Sequence, residues 1–262
     1  MEKLSTYISK LPDAPDNQHR LWRGRSGAVL GRIGADTVGS RFEAVWDIDA
    51  GAVVGHEARL RHAREGAVEE QEIWERVLGG ADDDLLVSLD RLSRILHAVN
   101  YCREDGAGIH GRRGRLHLNV QPRLLRSVED HHGAAFRRAL DALGLGHVPV
   151  VIQLPIAIND QVSLLRHALA NYQLNGFKVA VYARDFVQAG AILDQVRPDL
   201  IKLDAGGGWP RAAIRGLLES ADRRTASCVT GVSDLAQFQS VVAAGVKLAQ
   251  GPYLSELLAT HA

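Results

Sequence analysis

The sequence predicts an α/β fold: a modified TIM-type (β/α)8 barrel whose first strand runs antiparallel to the others. Three observations carry this reading. From the third strand onward, short apolar strands alternate with helical stretches of about 10–15 residues, the pattern of βαβ units around a parallel sheet. The strands number about eight, which is what closure into such a barrel requires. No Gly-x-Gly-x-x-Gly turn follows any strand, so the rival architecture, an open doubly wound sheet for dinucleotides, lacks its main signal.

The elements follow in order. Residues 1–40 are rich in Pro, Asp, Asn, Gly and Arg with weak periodicity, and are expected to form a leader or peripheral layer, with the barrel domain occupying 41–262. FEAVWDI (42–48) and GAVVGHEARLR (51–61) flank a tight Asp-Ala-Gly turn at 49–51 and read as an antiparallel hairpin. EEQEIWERVL (69–78) and LLVSLDRLSRILHAVNYC (85–102) have helical spacing, RLHLNV (115–120) alternates as a strand, and HHGAAFRRALDALG (131–144) is a helix closed by Gly144. VPVVIQLPI (148–156) is a nearly continuous apolar run, as a strand covered on both faces requires. VSLLRHALANYQLN (162–175) is a helix with Gly176 at its C-cap. Then come strand 177–183, helix 186–196, strand 199–204, helix 211–224, strand 226–232, helix 235–245, a short strand 247–251 and a last helix or turn 254–259.

The totals bound the function. Hydrophobic residues make up 46% and charged residues 24% of 262 positions, an ordinary globular mixture long enough to bury a large core without staples. Lys+Arg and Asp+Glu balance at 31 each, so no global basic field draws in nucleic acid. No apolar run approaches a membrane span, and the N-terminus lacks a signal-peptide core. Cys102 and Cys228 stand apart with no metal-site spacing, and read as free thiols in a reducing cytoplasm. The run GRRGR (111–115), the pair His131–His132, GGGWP (206–210) and GRSG (24–27) read as solvated loops, a helix start and turns rather than ligand sites.

In such a barrel, function sits at the C-terminal ends of the strands. Read in order, those ends include VVGHEARLR (53–61), LHLNVQP (116–122), DLIKLD (199–204), VTGV (229–232) and AQGPYL (249–254). In order and spacing these blocks resemble the EAL domain, the cyclic di-GMP phosphodiesterase module of bacteria, from about residue 40 to 258. The resemblance implies a hydrolase that opens cyclic di-GMP with two divalent cations, Mg²⁺ or Mn²⁺, held by several oxygen ligands. Of the family's site, the first glutamate aligns with Glu57, the asparagine with Asn119, the lysine with Lys202, its strand aspartate with Asp204, and the late Gln-Gly pair with Gln250 and Gly251. The arginine that reaches a ligand phosphate aligns with Arg61.

The other positions depart from the pattern. The third-strand glutamate falls at Ile156, the paired aspartates at Tyr182 and Ala183, the later glutamate at Thr230 and the acid after it at Ser233. A two-residue slip brings Asp185, with Arg184 beside it. Arg59 replaces the leucine of the EAL motif, and Glu43-Ala44 replaces a Gln-Pro pair. Glu57 and Asn119 are therefore remnants of a metal site, and Glu57 is expected to pair with Lys202 inside the barrel. The sequence-level expectation is a degenerate EAL protein without phosphodiesterase activity or metal cofactor, serving as an interaction module for an unidentified protein partner. A non-catalytic cyclic di-GMP receptor, binding through Arg61, Asn119, Lys202, Gln250 and Gly251, is the alternative, and an active phosphodiesterase the third reading. Neither nucleic acid nor membrane is expected as a partner, and a homodimer stays open.

Overall fold

A computed structural model describes all residues except 1, 16–19, 64–69, 81, 104–113, 128–132, 160, 208–224 and 262. Ten strands form one sheet: β1 (Leu21–Arg23), β2 (Val29–Ile33), β3 (Asp36–Asp47), β4 (Ala52–His62), β5 (Arg115–Asn119), β6 (Val150–Leu154), β7 (Lys178–Ala183), β8 (Leu200–Asp204), β9 (Ala226–Thr230) and β10 (Leu248–Ala249). Strands β4 to β10 are parallel neighbours in sequence order, and β3 lies antiparallel between β4 and β10. That double pairing of β3 closes an eight-strand mixed barrel and rules out the open sheet. The β3–β4 turn is the expected one, with Ala50 N donating to the Asp47 carboxylate at 3.0 Å.

The helices are α1 (Glu2–Ser9), α2 (Glu70–Leu78), α3 (Asp83–Cys102), α4 (Pro122–Ser127), α5 (Ala134–Ala142), α6 (Val162–Leu174), α7 (Phe186–Gln195), α8 (Leu235–Ala243) and α9 (Pro252–His261). No described helix is long and apolar enough to cross a membrane. The helix expected at 211–224, the His131–His132 pair and most of the 111–115 run lie outside the described residues. Asp82, Asp185 and Asp234 each start a helix by accepting a backbone N–H three residues on, at 2.8 Å.

Alternation along each strand sorts side chains into two sets. Val150, Ile152 and Leu154 of β6 face the helices and join the main core, whereas Val151 faces the barrel axis with Val45, Ala180, Leu200 and Cys228. The N-terminal segment belongs to the same packing: Leu4, Leu11, Leu21, Val29 and Ile33 are buried in the main core. Asn100 on α3 anchors β2 by accepting from Val29 N at 2.9 Å and donating to Val29 O at 2.8 Å. The weak periodicity of 1–40 concealed α1 and the β1–β2 hairpin, because these elements are too short to repeat a pattern.

One buried ion pair positions the loop above β5. Arg94 on α3 meets Asp90 at 2.7 Å, both 1% exposed. The other Asp90 oxygen accepts from Gln121 N at 2.9 Å, at the start of α4. Helix i,i+4 spacing brings the pair together, and burial makes it costly to break.

Candidate functional site

Glu57 and Lys202 occupy inward positions on β4 and β8, Gln250 follows directly on β10, and Tyr182 comes in from β7. All four converge near the C-terminal end of the barrel axis. One Glu57 oxygen, Oε2, accepts from Lys202 Nζ at 2.8 Å, Gln250 Nε2 at 3.0 Å and Tyr182 OH at 3.1 Å. The Lys202 ammonium also donates to Gln250 Oε1 at 2.6 Å. The expected Glu57–Lys202 pair is therefore formed, with side-chain exposures of 1% and 0% in that order.

The other Glu57 oxygen, Oε1, lies 3.2 Å from Arg59 Nη2 and 3.5 Å from Asn119 Nδ2. Arg59 and Glu57 are two residues apart on β4, so they share a face. Arg59 also reaches Glu43 at 3.7 Å, the residue opposite Glu57 in the β3–β4 register. Gln153 donates to Asn119 Oδ1 at 2.8 Å, which orients the asparagine amide toward the carboxylate.

The charges follow from this geometry. Burial by itself would raise the Glu57 pKa, but the Lys202 and Arg59 charges, with hydrogen bonds from Lys202 and Gln250, hold it well below the usual carboxylate range. Burial followed by the Glu57 charge pushes the Tyr182 phenol well above its ordinary value, so it stays a donor. Glu43 is raised by burial against the opposing pull of Arg59. His117, opposite Glu57 on β5, is held neutral by burial and by Lys202, with its pKa lowered to about 3.

Of the positions where the resemblance places carboxylates, 156, 182, 183, 230 and 233 supply none. Ile156 lies in the 3-10 turn after β6, 38% exposed. Tyr182 fills the axis, while Ala183 faces the main core. Asp185 caps α7, and Thr230 Oγ1 donates to Leu203 O at 3.3 Å. Ser233 N donates to Gln237 at 2.9 Å on the rim. Asp204 is exposed and accepts from Gly206 N at 2.6 Å. Among the described residues, no group of three or more His, Cys, Asp or Glu side chains could hold a metal ion. The donor set does not fit a pair of hard divalent cations. Such ions take several anionic oxygens, and here one carboxylate already faces an ammonium, a guanidinium and three neutral donors.

The remaining sequence-selected residues divide between network and rim. Asn119, Lys202 and Gln250 belong to the hydrogen-bonded layer. Gly251 has φ +152, and a Cβ there would fall 2.2 Å from Val232 O, so its place reflects close backbone approach. Arg61 lies beyond the layer, exposed and opposite Gly39, with no ion pair among the described residues. Arg59, which stands where the EAL motif has leucine, is the guanidinium that enters the site. Period-two alternation from Glu57 was the signal that could have found it.

Above the layer, a cleft of about 530 Å³ opens between α2 and the ends of β4, β5 and β6, with Arg59, Glu70, Gln71, Asn119, Gln121 and Gln153 on its walls. Glu70 begins α2, and burial raises its pKa to about 7, against a backbone hydrogen bond from Leu60 and the Arg59 charge.

No family model and no curated protein matches the sequence. Solved structures do. Klebsiella pneumoniae BlrP1, in a manganese and cyclic di-GMP complex, superposes with a TM-score of 0.64 at 20% identity, over 82% of this chain and 54% of that one. A standalone EAL protein of Vibrio cholerae O395, in its cyclic di-GMP-bound form, gives 0.62 at 18% identity, over 82% and 90%. The EAL domain of Xanthomonas citri FimX, in complex with cyclic di-GMP, gives 0.57 at 18% identity, over 82% and 85%. The protein thus has the fold of the EAL domain. It spans about half the length of the BlrP1 chain and nine-tenths of the Vibrio chain.

Proposed function

We propose that this protein is a non-catalytic EAL-domain module of bacterial cyclic di-GMP-type signalling, acting in the cytoplasm through contact with a protein partner and without a metal cofactor. One observation carries the reading: the Glu57 carboxylate is enclosed by Lys202, Gln250, Tyr182 and Arg59. Two-metal hydrolysis needs cations that both activate water and clamp the phosphate. Here the space and the lone pairs for such ions are taken by a phenol, an amide and two cationic side chains. The barrel, assigned to residues 41–262, is the working unit, although its strand β3 already begins at Asp36, and Leu4, Leu11, Leu21, Val29 and Ile33 of the preceding segment pack on it.

The test is incubation with cyclic di-GMP and Mn²⁺ or Mg²⁺, followed by chromatography for the linear dinucleotide. No product above the protein-free blank is expected. Turnover that disappears in Glu57→Ala would overturn the reading.

A second reading, a receptor that binds cyclic di-GMP without hydrolysis, draws support from the cleft and from the guanidinium that Arg59 presents to it. Calorimetric titration of wild type, Arg59→Ala and Arg61→Ala separates the two readings. Micromolar binding lost in either variant favours the receptor, and no heat in any of the three favours the interaction module.

A further inference from the structure

The opposite end of the barrel holds a second feature, independent of the EAL reading. At the N-terminal ends of the parallel strands lies a cavity of about 190 Å³, walled by Val45, Val54, Val151, Leu200, Leu248 and Ala226. Barrels of this class ordinarily fill that level with layers of bulky branched side chains. Here β7 contributes Ala180 and β9 Cys228 at inward positions, small side chains that leave room unfilled. A β3–β4 register shift pairs Val45 with Gly55 and Trp46 with Val53, so Val54 has no partner on β3.

The inner end of the cavity is closed by His117, which is 3% exposed and separates it from the Glu57–Lys202 layer. The mouth carries three charged residues: Arg115, Lys178 and Asp199. Asp199 is fully engaged, accepting from Lys178 Nζ at 2.6 Å, Gln173 Nε2 at 3.1 Å and Val179 N at 2.9 Å. Lys178 is neutralised by that contact. Arg115 is exposed and makes no ion pair among the described residues, so the mouth has a net positive charge.

From the apolar walls, the closed inner end and the exposed Arg115 guanidinium at the mouth, which has no ion pair among the described residues, we propose that the base of the barrel binds a small organic carboxylate. Its apolar body would enter the cavity and its anionic head would meet Arg115. The volume suits a single aromatic ring, since a dry apolar cavity of about 150 Å³ accommodates benzene.

Benzoate and benzyl alcohol are the probes, titrated into the full chain by calorimetry and by heteronuclear NMR. Benzoate is expected to bind saturably, about tenfold more tightly than the alcohol, with shifts at Val151, Leu200 and Leu248. Arg115→Gln should abolish that tenfold preference while the alcohol's affinity holds. Ala226→Leu, which fills the cavity from a strand end, should weaken both probes at least tenfold, and Arg59→Ala in the opposite cleft should leave both unchanged. The proposal is overturned by no saturable benzoate signal up to about 10 mM, by equal affinity for the alcohol, or by binding that survives Ala226→Leu. Arg115→Gln changes an exposed side chain and keeps the test decisive if Ala226→Leu fails to fold.

Discussion

Replacing Lys202 by Met tests whether the centre of the barrel is held by charge pairing. The substitution keeps the unbranched apolar stem, one heavy atom shorter, and removes the ammonium. Glu57 Oε2 then loses its 2.8 Å partner, and Gln250 Oε1 loses a donor at 2.6 Å. Removing one member of a buried pair costs about 3–5 kcal/mol, because the remaining charge stays out of water. Arg59 at 3.2 Å and the Tyr182 hydroxyl at 3.1 Å still serve Glu57, which points to the lower half of that range. The stranded Gln250 carbonyl adds about 1 kcal/mol or more. The expected loss is therefore about 4 kcal/mol at pH 7, read from reversible urea unfolding, or a fall in Tm of roughly 8–16 °C.

The sign of the pH dependence sharpens this test. In the wild type the folded pKa of Glu57 is depressed. The stability it contributes is present above the unfolded carboxylate value and is lost as pH falls below it toward the folded value. In Lys202→Met, burial outweighs the remaining partners and raises the folded pKa. The penalty should then be largest at pH 7 and shrink toward pH 4 as Glu57 takes up a proton. Glu57→Gln combined with Lys202→Met should recover about 2 kcal/mol relative to Lys202→Met alone. A single-variant loss below about 1 kcal/mol, or a double variant no better than the sum of its parts, would refute the reasoning.

Two further outcomes follow from the same geometry. Gly251→Ala forces a Cβ to 2.2 Å from Val232 O at φ +152, so it should destabilise by about 3 kcal/mol or more, or prevent folding, as measured by thermal melting. Gly245→Ala, with open space around its Cβ position, should cost much less. Glu70 has a folded pKa raised to about 7, so the stability it contributes is present below its unfolded value and declines as pH rises through about 7. Glu70→Gln should flatten the stability profile between about pH 4.5 and pH 7, and an unchanged slope would contradict the placement of this carboxyl.

Barrel architecture was legible because its signals are local. The nearly continuous apolar run at 148–156, the short strand at 177–183, Gly144 and Gly176 after helices, and the Asp-Ala-Gly turn each act within a few residues. Both glycines take positive φ, +73 and +77, as helix ends require. What stayed illegible was short or shared. Helix α4 has six residues, too few for a period to show, and the β1–β2 hairpin depends on Asn100, 71 residues from Val29. Motif alignment pointed to Arg61, yet Arg59 is the guanidinium beside Glu57: alternation puts both on the Glu57 face of β4, but only Arg59 is close enough to reach the carboxylate, at 3.2 Å.

The sequence by itself determined the strand–helix order from the hairpin onward, through local spacing, and the absence of Asp and Glu at positions 156, 182, 183 and 230, where the resemblance to the EAL domain implies acids. Only the tertiary structure decided what surrounds Glu57. Glu57 and Lys202 are 145 residues apart, Glu57 and Tyr182 125, and Glu57 and Gln250 193. They meet because barrel closure brings inward positions of β4, β7 and β8 and the residue after β10 together near one end of the axis. A buried carboxylate there requires partners, and the chain supplies an ammonium, a phenol and an amide from three other strands. The empty base of the barrel has the same origin, because small residues on separate strands leave a cavity only once the sheet closes around them.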